Sequence, residues 1–249
     1  VTRSDHVRLD SPSIGGTREV VVHGHWGRPV LWFPSEGFGA DEFADRGMLD
    51  ALRPAIDQGL LTVFCVPSHD EESWSASWKP LADRARAHLA YERWIVDHVV
   101  PFVHERCGGR TDIVTAGPSM GAFHAVLFAL RNAHLFGRAV ALSGSYSTWA
   151  WRGWGEGDVD TYLTDPMSFL PTEHGGHLEH LRRSLHLTLV VGSGRWEDTT
   201  GAHASTRALA GVLADLHIPH ELAVWGTEWP HDWNSWQAQA ATYLPPLGG

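Results

Sequence analysis

Short apolar runs rich in β-branched residues alternate along the chain with longer segments whose apolar positions recur at helical spacing. Residues 19–23 and 29–33 read as strands joined through the glycine-bounded turn 24–27, and a helix over 45–58 leads into a strand at 61–66. A long amphipathic helix fits 83–107, with Leu89, Trp94, Ile95, Val99, Phe102 and Val103 among its apolar positions. Pro101 lies inside that run and is expected to kink or divide it. A strand at 112–116, a helix at 120–132 and a strand at 138–142 follow. After an irregular stretch over 143–184 come a strand at 187–192, a helix at 203–216, a strand at 221–225 and a final helix at 235–243. Such alternation predicts the α/β class: a mostly parallel central sheet covered by helices on both faces, within one domain spanning 1–249.

The strand at 112–116 runs straight into Gly117-Pro118-Ser119-Met120-Gly121, and an apolar helix starts at once. A Gly-x-Ser-x-Gly pattern arises readily by chance in a chain with 26 glycines, so the setting carries the weight. Strand, sharp turn and helix form the nucleophile elbow. So tight a turn holds its serine in a strained conformation and leaves no room for side chains two residues to either side. The helix beginning there presents free amides and a positive dipole end, so the N–H of Met120 can stabilise a developing oxyanion.

A serine hydroxyl needs a base. Of 17 histidines, His231 follows the last strand by a short loop, with Trp229, Trp233 and Trp236 placed to pack it. His124, on the helix after the serine, reads as a residue facing the core or the sheet edge. The loop after the preceding strand carries adjacent carboxylates, Glu197 and Asp198; Glu197 is preferred as the group that orients His231, because Asp198 could cap the following helix. The order serine, acid, histidine is that of the α/β-hydrolases. A second oxyanion amide is expected from the glycine-bearing loop after the early strand, at Glu36 or Gly37.

Composition narrows the function further. A formal net charge of −10 with no offsetting basic run argues against a nucleic-acid partner. Two cysteines, Cys65 and Cys107, define no disulfide framework and read as buried thiols. No apolar stretch is long enough for a membrane span, and the N-terminal ten residues lack the apolar centre of a signal peptide, so the expected location is the cytoplasm and no membrane partner is expected. Self-association into a homo-oligomer stays open.

With these residues in place, the chain resembles the esterase branch of the α/β-hydrolases, which includes esterase D, enterochelin esterases and mycolyltransferases, and within it a small bacterial esterase family. The resemblance runs from about Val22 to Tyr243. It rests on His23-Gly24-His25-Trp26-Gly27 with 29–37, on 117–121, on Tyr162-Leu163-Thr164-Asp165-Pro166, on Gly194-Arg195-Trp196-Glu197-Asp198 and on 225–236 around Pro230-His231-Asp232-Trp233. It implies acyl-ester chemistry with Ser119 and His231 in their family roles. The His-Gly oxyanion signature of many lipases is replaced here by Pro34-Ser35-Glu36.

The stretch 143–184 falls where such folds place a cap, and carries Trp149, Trp151, Trp154, Tyr146 and Tyr162; Trp74 and Trp78 follow another strand. Trp74, Trp149 and Trp151 are the expected substrate contacts, suited to an apolar, aromatic or sugar-bearing small-molecule ester. The expected function is a serine esterase acting through an acyl-enzyme, with no cofactor. An acyltransferase using the same residues is the alternative, and a non-catalytic binding protein on the same scaffold a more distant one. His174, His177 and His180, and His23 with His25, have the look of metal ligands but lack a convincing ligand framework, so no metal is expected.

Overall fold

Strands that are apolar along their whole length are stable only in the middle of a sheet with both faces covered. The computed structural model, which describes residues 3–248, places them there. Val1, Thr2 and Gly249, the ends of the expected 1–249 domain, lie outside the described residues. Eight strands, β1 (Ser4–Asp10), β2 (Thr17–His23), β3 (Arg28–Trp32), β4 (Leu61–Cys65), β5 (Val114–Pro118), β6 (Arg138–Leu142), β7 (His186–Val191) and β8 (His220–Val224), form one sheet in the order β1-β2-β4-β3-β5-β6-β7-β8. β1 and β2 are antiparallel, as are β2 and β4; from β4 and β3 through β8 every pair is parallel.

Successive side chains on one strand divide between two cores, and those two apart share one. Leu31 and Phe64 join the larger core under the helices Leu81–Trp94 and Met120–Arg131, while Val30, Trp32, Val63 and Cys65 join the smaller one under Met48–Asp57 and Trp233–Tyr243. The helix Met120–Arg131 is buried from Met120 to Leu130, so the element that starts at Ser119 is fixed on all sides. Because β3 and β5 to β8 run parallel, the loops that follow them open at one edge of the sheet.

Several expectations are corrected. β1 was not anticipated: only Val7 and Leu9 are apolar, since an edge strand with one half-covered face needs no more. The helix expected over 45–58 is two, Glu42–Asp45 and Met48–Asp57, broken at Gly47, whose φ of 75° suits glycine. The long helix is divided, as Pro101 led one to expect, into Leu81–Trp94 and Val100–Arg106 by a wider π-turn over Ile95–Val99; Pro101, lacking an N–H, cannot continue the regular ladder. The stretch 143–184 is not irregular. It holds the helices Val159–Leu163, Pro166–Phe169 and Gly175–Ser184. Buried Asp165 caps the second of these through Ser168 N–H (2.9 Å) and also accepts Thr148 N–H (2.6 Å) and Thr148 Oγ1 (2.9 Å), tying the segment together. Among the described residues no helix is long and apolar enough to cross a membrane.

Candidate active site

Ser119 sits between β5 and the helix Met120–Arg131 at φ 54°, ψ −116°, a conformation a non-glycine residue holds only under constraint. The constraint is visible at the flanking glycines. A Cβ at Gly117 would lie 2.4 Å from the Phe33 carbonyl oxygen and 2.8 Å from that of Gly121, and one at Gly121 would lie 2.3 Å from the Phe33 oxygen. The end of β3 is thus pressed against the elbow, which requires glycine on both sides of the serine. Ser119 N–H donates to Leu142 O (2.8 Å), fastening the turn to β6.

His231 Nε2 lies 3.1 Å from Ser119 Oγ, and its Nδ1 lies 3.1 Å from Glu197 Oε2. With the carboxylate facing Nδ1, the proton belongs there as a donor, and Nε2 is left to accept from the serine hydroxyl. His231 N–H donates to Arg195 O (2.9 Å), and Trp236 meets the ring edge-on at 4.9 Å. Asp232 N-caps the helix Trp233–Tyr243 through Ser235 N–H (3.0 Å), so the residue after the histidine fixes where its loop ends.

Glu197 is buried, whereas its neighbour Asp198 is exposed; Trp196, at φ 71°, makes the turn that directs them apart. Glu197 Oε1 accepts Ser143 Oγ (2.5 Å) and Gly192 N–H (3.2 Å). The buried carboxylate thus has three donors, one of them the imidazole of His231. The loops carrying Glu197 and His231 are packed backbone to backbone: a Cβ at Gly192 would stand 2.0 Å from Trp229 O.

A cleft of about 540 Å³ opens over Ser119 and His231. The expected residues distribute unevenly around it. Met120 and Glu36 line it, as do Trp74 and Trp151, which meet edge to face at 5.7 Å. Gly37 faces away toward a neighbouring cavity, and its N–H donates to Asp70 Oδ2 (3.2 Å); the Glu36 N–H donates to no group among the described residues. Of the two amides offered by the sequence, only that of Glu36 is free. Trp149 is not part of the lining, because its indole lies over Gly153 and Gly157. Trp78 is largely exposed, and Trp154 donates to Ser77 O (2.9 Å). His124 is buried against Asp70.

Sequence reasoning missed four features. Ser143, at φ 57° just after β6, supports Glu197 and lines the cleft, yet nothing marks it beyond its place at a strand end. Arg84 is fully buried, donating to Trp74 O (3.0 Å) and Trp151 O (3.1 Å), so one guanidinium braces both aromatic walls; its position in an apolar stripe was the available signal. Arg152, exposed at the mouth, is the only lysine or arginine in the lining and makes no hydrogen bond among the described residues. Ser75 lines the cleft and donates to Glu36 Oε1 (2.6 Å).

Of the histidines with metal-like spacing, His23 places Nδ1 against Ser4 Oγ (2.8 Å) and His174 places Nδ1 against Thr172 O (2.9 Å). Among the described residues the one cluster with metal-ligand spacing is His6, Glu19 and Asp41, exposed or half-buried, and none of the three lines the cleft. Cys65 is buried and Cys107 partly so, both as free thiols.

A serine on a strained strand-to-helix turn, hydrogen-bonded to a histidine, at the open edge of a mostly parallel sheet defines a serine hydrolase of the α/β-hydrolase class. The chain belongs to the Esterase family, described as "Putative esterase", whose model matches residues 29–246, and it is a carboxylic ester hydrolase of that family. Solved structures with the same fold include an S-formylglutathione hydrolase from Staphylococcus aureus (TM-score 0.75, 14% identity, covering 99% of each chain). They also include MPT51 from Mycobacterium tuberculosis (TM-score 0.71, 14% identity, covering 99% of this chain and 98% of that one). A third is a ferulic acid esterase from Anaeromyces mucronatus (TM-score 0.71, 12% identity, covering 98% of this chain and 90% of that one). No curated protein matches the sequence.

Proposed function

We propose that the protein hydrolyses a small, polar carboxylic ester through an acyl-enzyme on Ser119, with His231 as base and Glu197 as the group that orients it. The observation that carries this reading is the continuous chain Ser119 Oγ–His231–Glu197, with 3.1 Å at each link.

His231 Nε2 takes the hydroxyl proton as Oγ attacks the ester carbon, and the carbonyl oxygen becomes an oxyanion. The amides of Met120 and Glu36 are the donors for that charge, the first at a helix N-terminus and the second unengaged. His231 returns the proton to the leaving alcohol as the tetrahedral adduct collapses to the acyl-enzyme. Water, deprotonated by the same nitrogen, attacks the acyl carbon, and as the bond to Ser119 Oγ breaks His231 returns that proton to Oγ and the acid leaves. No step calls for a cofactor.

The cleft wall supports a polar substrate. Ser75, Ser77, Ser145, Thr200 and Glu36 line it beside Trp74 and Trp151. Arg152, an unpaired guanidinium in a chain of net charge −10, favours an ester that carries an anionic group. The segment over 143–184 acts as a cap that brings Trp151 and Arg152 to the mouth.

The test is a panel of p-nitrophenyl esters, from acetyl to long acyl and including acids with a second carboxylate, run on wild type and Ser119→Ala. Turnover of short or carboxylate-bearing esters that Ser119→Ala loses by at least about 1,000-fold supports the reading. A Ser119→Ala enzyme with wild-type rates contradicts it.

A further inference from the structure

Next to the Glu36–Gly37 peptide and Trp74 lies a buried polar network that the catalytic chain does not use. Asp70, without solvent exposure, places Oδ1 2.9 Å from His124 Nε2 and Oδ2 3.2 Å from Gly37 N. We propose that Asp70 and His124 are positioning residues that hold the Glu36 amide in the oxyanion hole, a role that rests on the reading of Ser119 as nucleophile.

The geometry joins both oxyanion donors to one rigid body. Met120 begins the buried helix Met120–Arg131, and His124 is one turn further along it. Through His124 that helix grips Asp70, and Asp70 grips the Glu36–Gly37 peptide by its N–H. The same short segment holds Glu36 from a second side. Ser75 N–H donates to Asp70 O (2.9 Å), and Ser75 Oγ donates to Glu36 Oε1 (2.6 Å). Glu36 is therefore fixed by its side chain and by the peptide that follows it, while its own N–H donates to no group among the described residues and the residue lines the cleft. A loop not anchored this way would have to be ordered when charge develops, which removes most of the value of a preorganised donor.

The protonation of the pair follows from its surroundings. His124 Nε2 faces a carboxylate and carries a proton, whereas its Nδ1 is buried without a partner, where a lone pair costs less than an N–H. His124 thus donates through Nε2, and Asp70 accepts two N–H groups. His88 stacks on His124 (5.3 Å, 12° between planes) and accepts Trp74 Nε1–H at Nδ1 (3.2 Å), so the network also seats an aromatic wall of the cleft. A fully buried carboxylate needs its donors, and here they are the imidazole of His124 and the amide of Gly37.

The experiment compares Asp70→Ala with Asp70→Asn, and His124→Leu with His124→Gln, against wild type and Ser119→Ala. Asparagine keeps an acceptor for Gly37, and glutamine keeps a donor near the Nε2 position. The readouts are kcat and KM on an activated ester, and inhibition by an aryl trifluoromethyl ketone, which forms a tetrahedral oxyanion on an active serine. Asp70→Ala and His124→Leu are expected to lower kcat by roughly 10- to 100-fold with KM within about threefold, to weaken the ketone by a like factor, and to be partly rescued by the asparagine and glutamine variants. Folded Asp70→Ala with wild-type kcat, or with kcat lowered and ketone inhibition unchanged, overturns the proposal. Should neither Asp70 variant fold, equal kcat in His124→Leu and wild type overturns it. An enzyme inactive on all esters, or an active Ser119→Ala, marks failure of the nucleophile reading and takes this role down with it.

Discussion

Ser143 Oγ donates to Glu197 Oε1 over 2.5 Å, and this bond links the end of β6 to the carboxylate that faces His231. The backbone fixes Ser143 in place, with φ at 57° and its N–H tied to Val190 O on β7 at 2.8 Å. Without the hydroxyl, Glu197 Oε1 keeps only the Gly192 amide in a buried setting. A hydrogen bond to a buried charge contributes about 1.5–3 kcal/mol, so Ser143→Ala is expected to lower kcat/KM by roughly tenfold or more and to lower the melting temperature. Steady-state kinetics beside thermal unfolding check both; unchanged values in each would show the bond to be idle.

Adjacent carboxylates with opposite burial make a sharp pair of variants. Glu197→Gln keeps the shape but removes the charge and leaves the imidazole without its orienting acceptor, so kcat is expected to fall by roughly 1,000- to 10,000-fold. Asp198→Asn, at an exposed position, is expected to stay within about twofold of wild type. The reverse ranking in the same assay would move the acid to Asp198.

This pair also shows how far the chain can be read by itself. Strand periodicity located every parallel strand, and hence the three loops carrying serine, acid and base. Which of Glu197 and Asp198 points inward depends on the left-handed turn at Trp196, which no pattern of apolar residues reports. Likewise which of the Glu36 and Gly37 amides is left unengaged depends on Asp70, 33 residues from Gly37, a tertiary contact without a local signature. β1 and the helices of 143–184 were obscured for a related reason. An edge strand and short helices bury too few side chains to impose a period on their sequence.

Arg152 supplies a test of substrate preference. If its guanidinium meets an anionic substituent, Arg152→Gln is expected to lower kcat/KM for a carboxylate-bearing ester by about tenfold, mainly through KM, and to leave a neutral ester of similar size within about twofold. The difference should shrink as salt is raised, because the group is exposed. Equal losses on both esters would remove Arg152 from recognition.

Stability should fall in mild acid through His23. Burial lowers its pKa from the ordinary 6.5 to about 4, so below pH 6.5 the unfolded chain takes up a proton that the folded chain refuses. The folded state therefore keeps its full advantage above pH 6.5 and loses about 3 kcal/mol on going down to pH 4. His23→Phe retains a ring against Phe43, which His23 stacks on at 5.2 Å, and removes the titration. Urea unfolding at pH 7 and pH 4.5 should show a smaller loss in the variant than in wild type; equal losses would assign the acid sensitivity elsewhere.

The nucleophilic role of Ser119 is best tested by trapping the intermediate. Wild type mixed with p-nitrophenyl acetate in a stopped-flow instrument, then quenched in acid, digested and analysed by mass, is expected to show a burst of nitrophenol close to one per active site. The acetyl group should be recovered on the peptide containing Ser119, and both signals should vanish in Ser119→Ala. An acetyl group on any other residue, or a burst that survives the alanine substitution, would contradict that role.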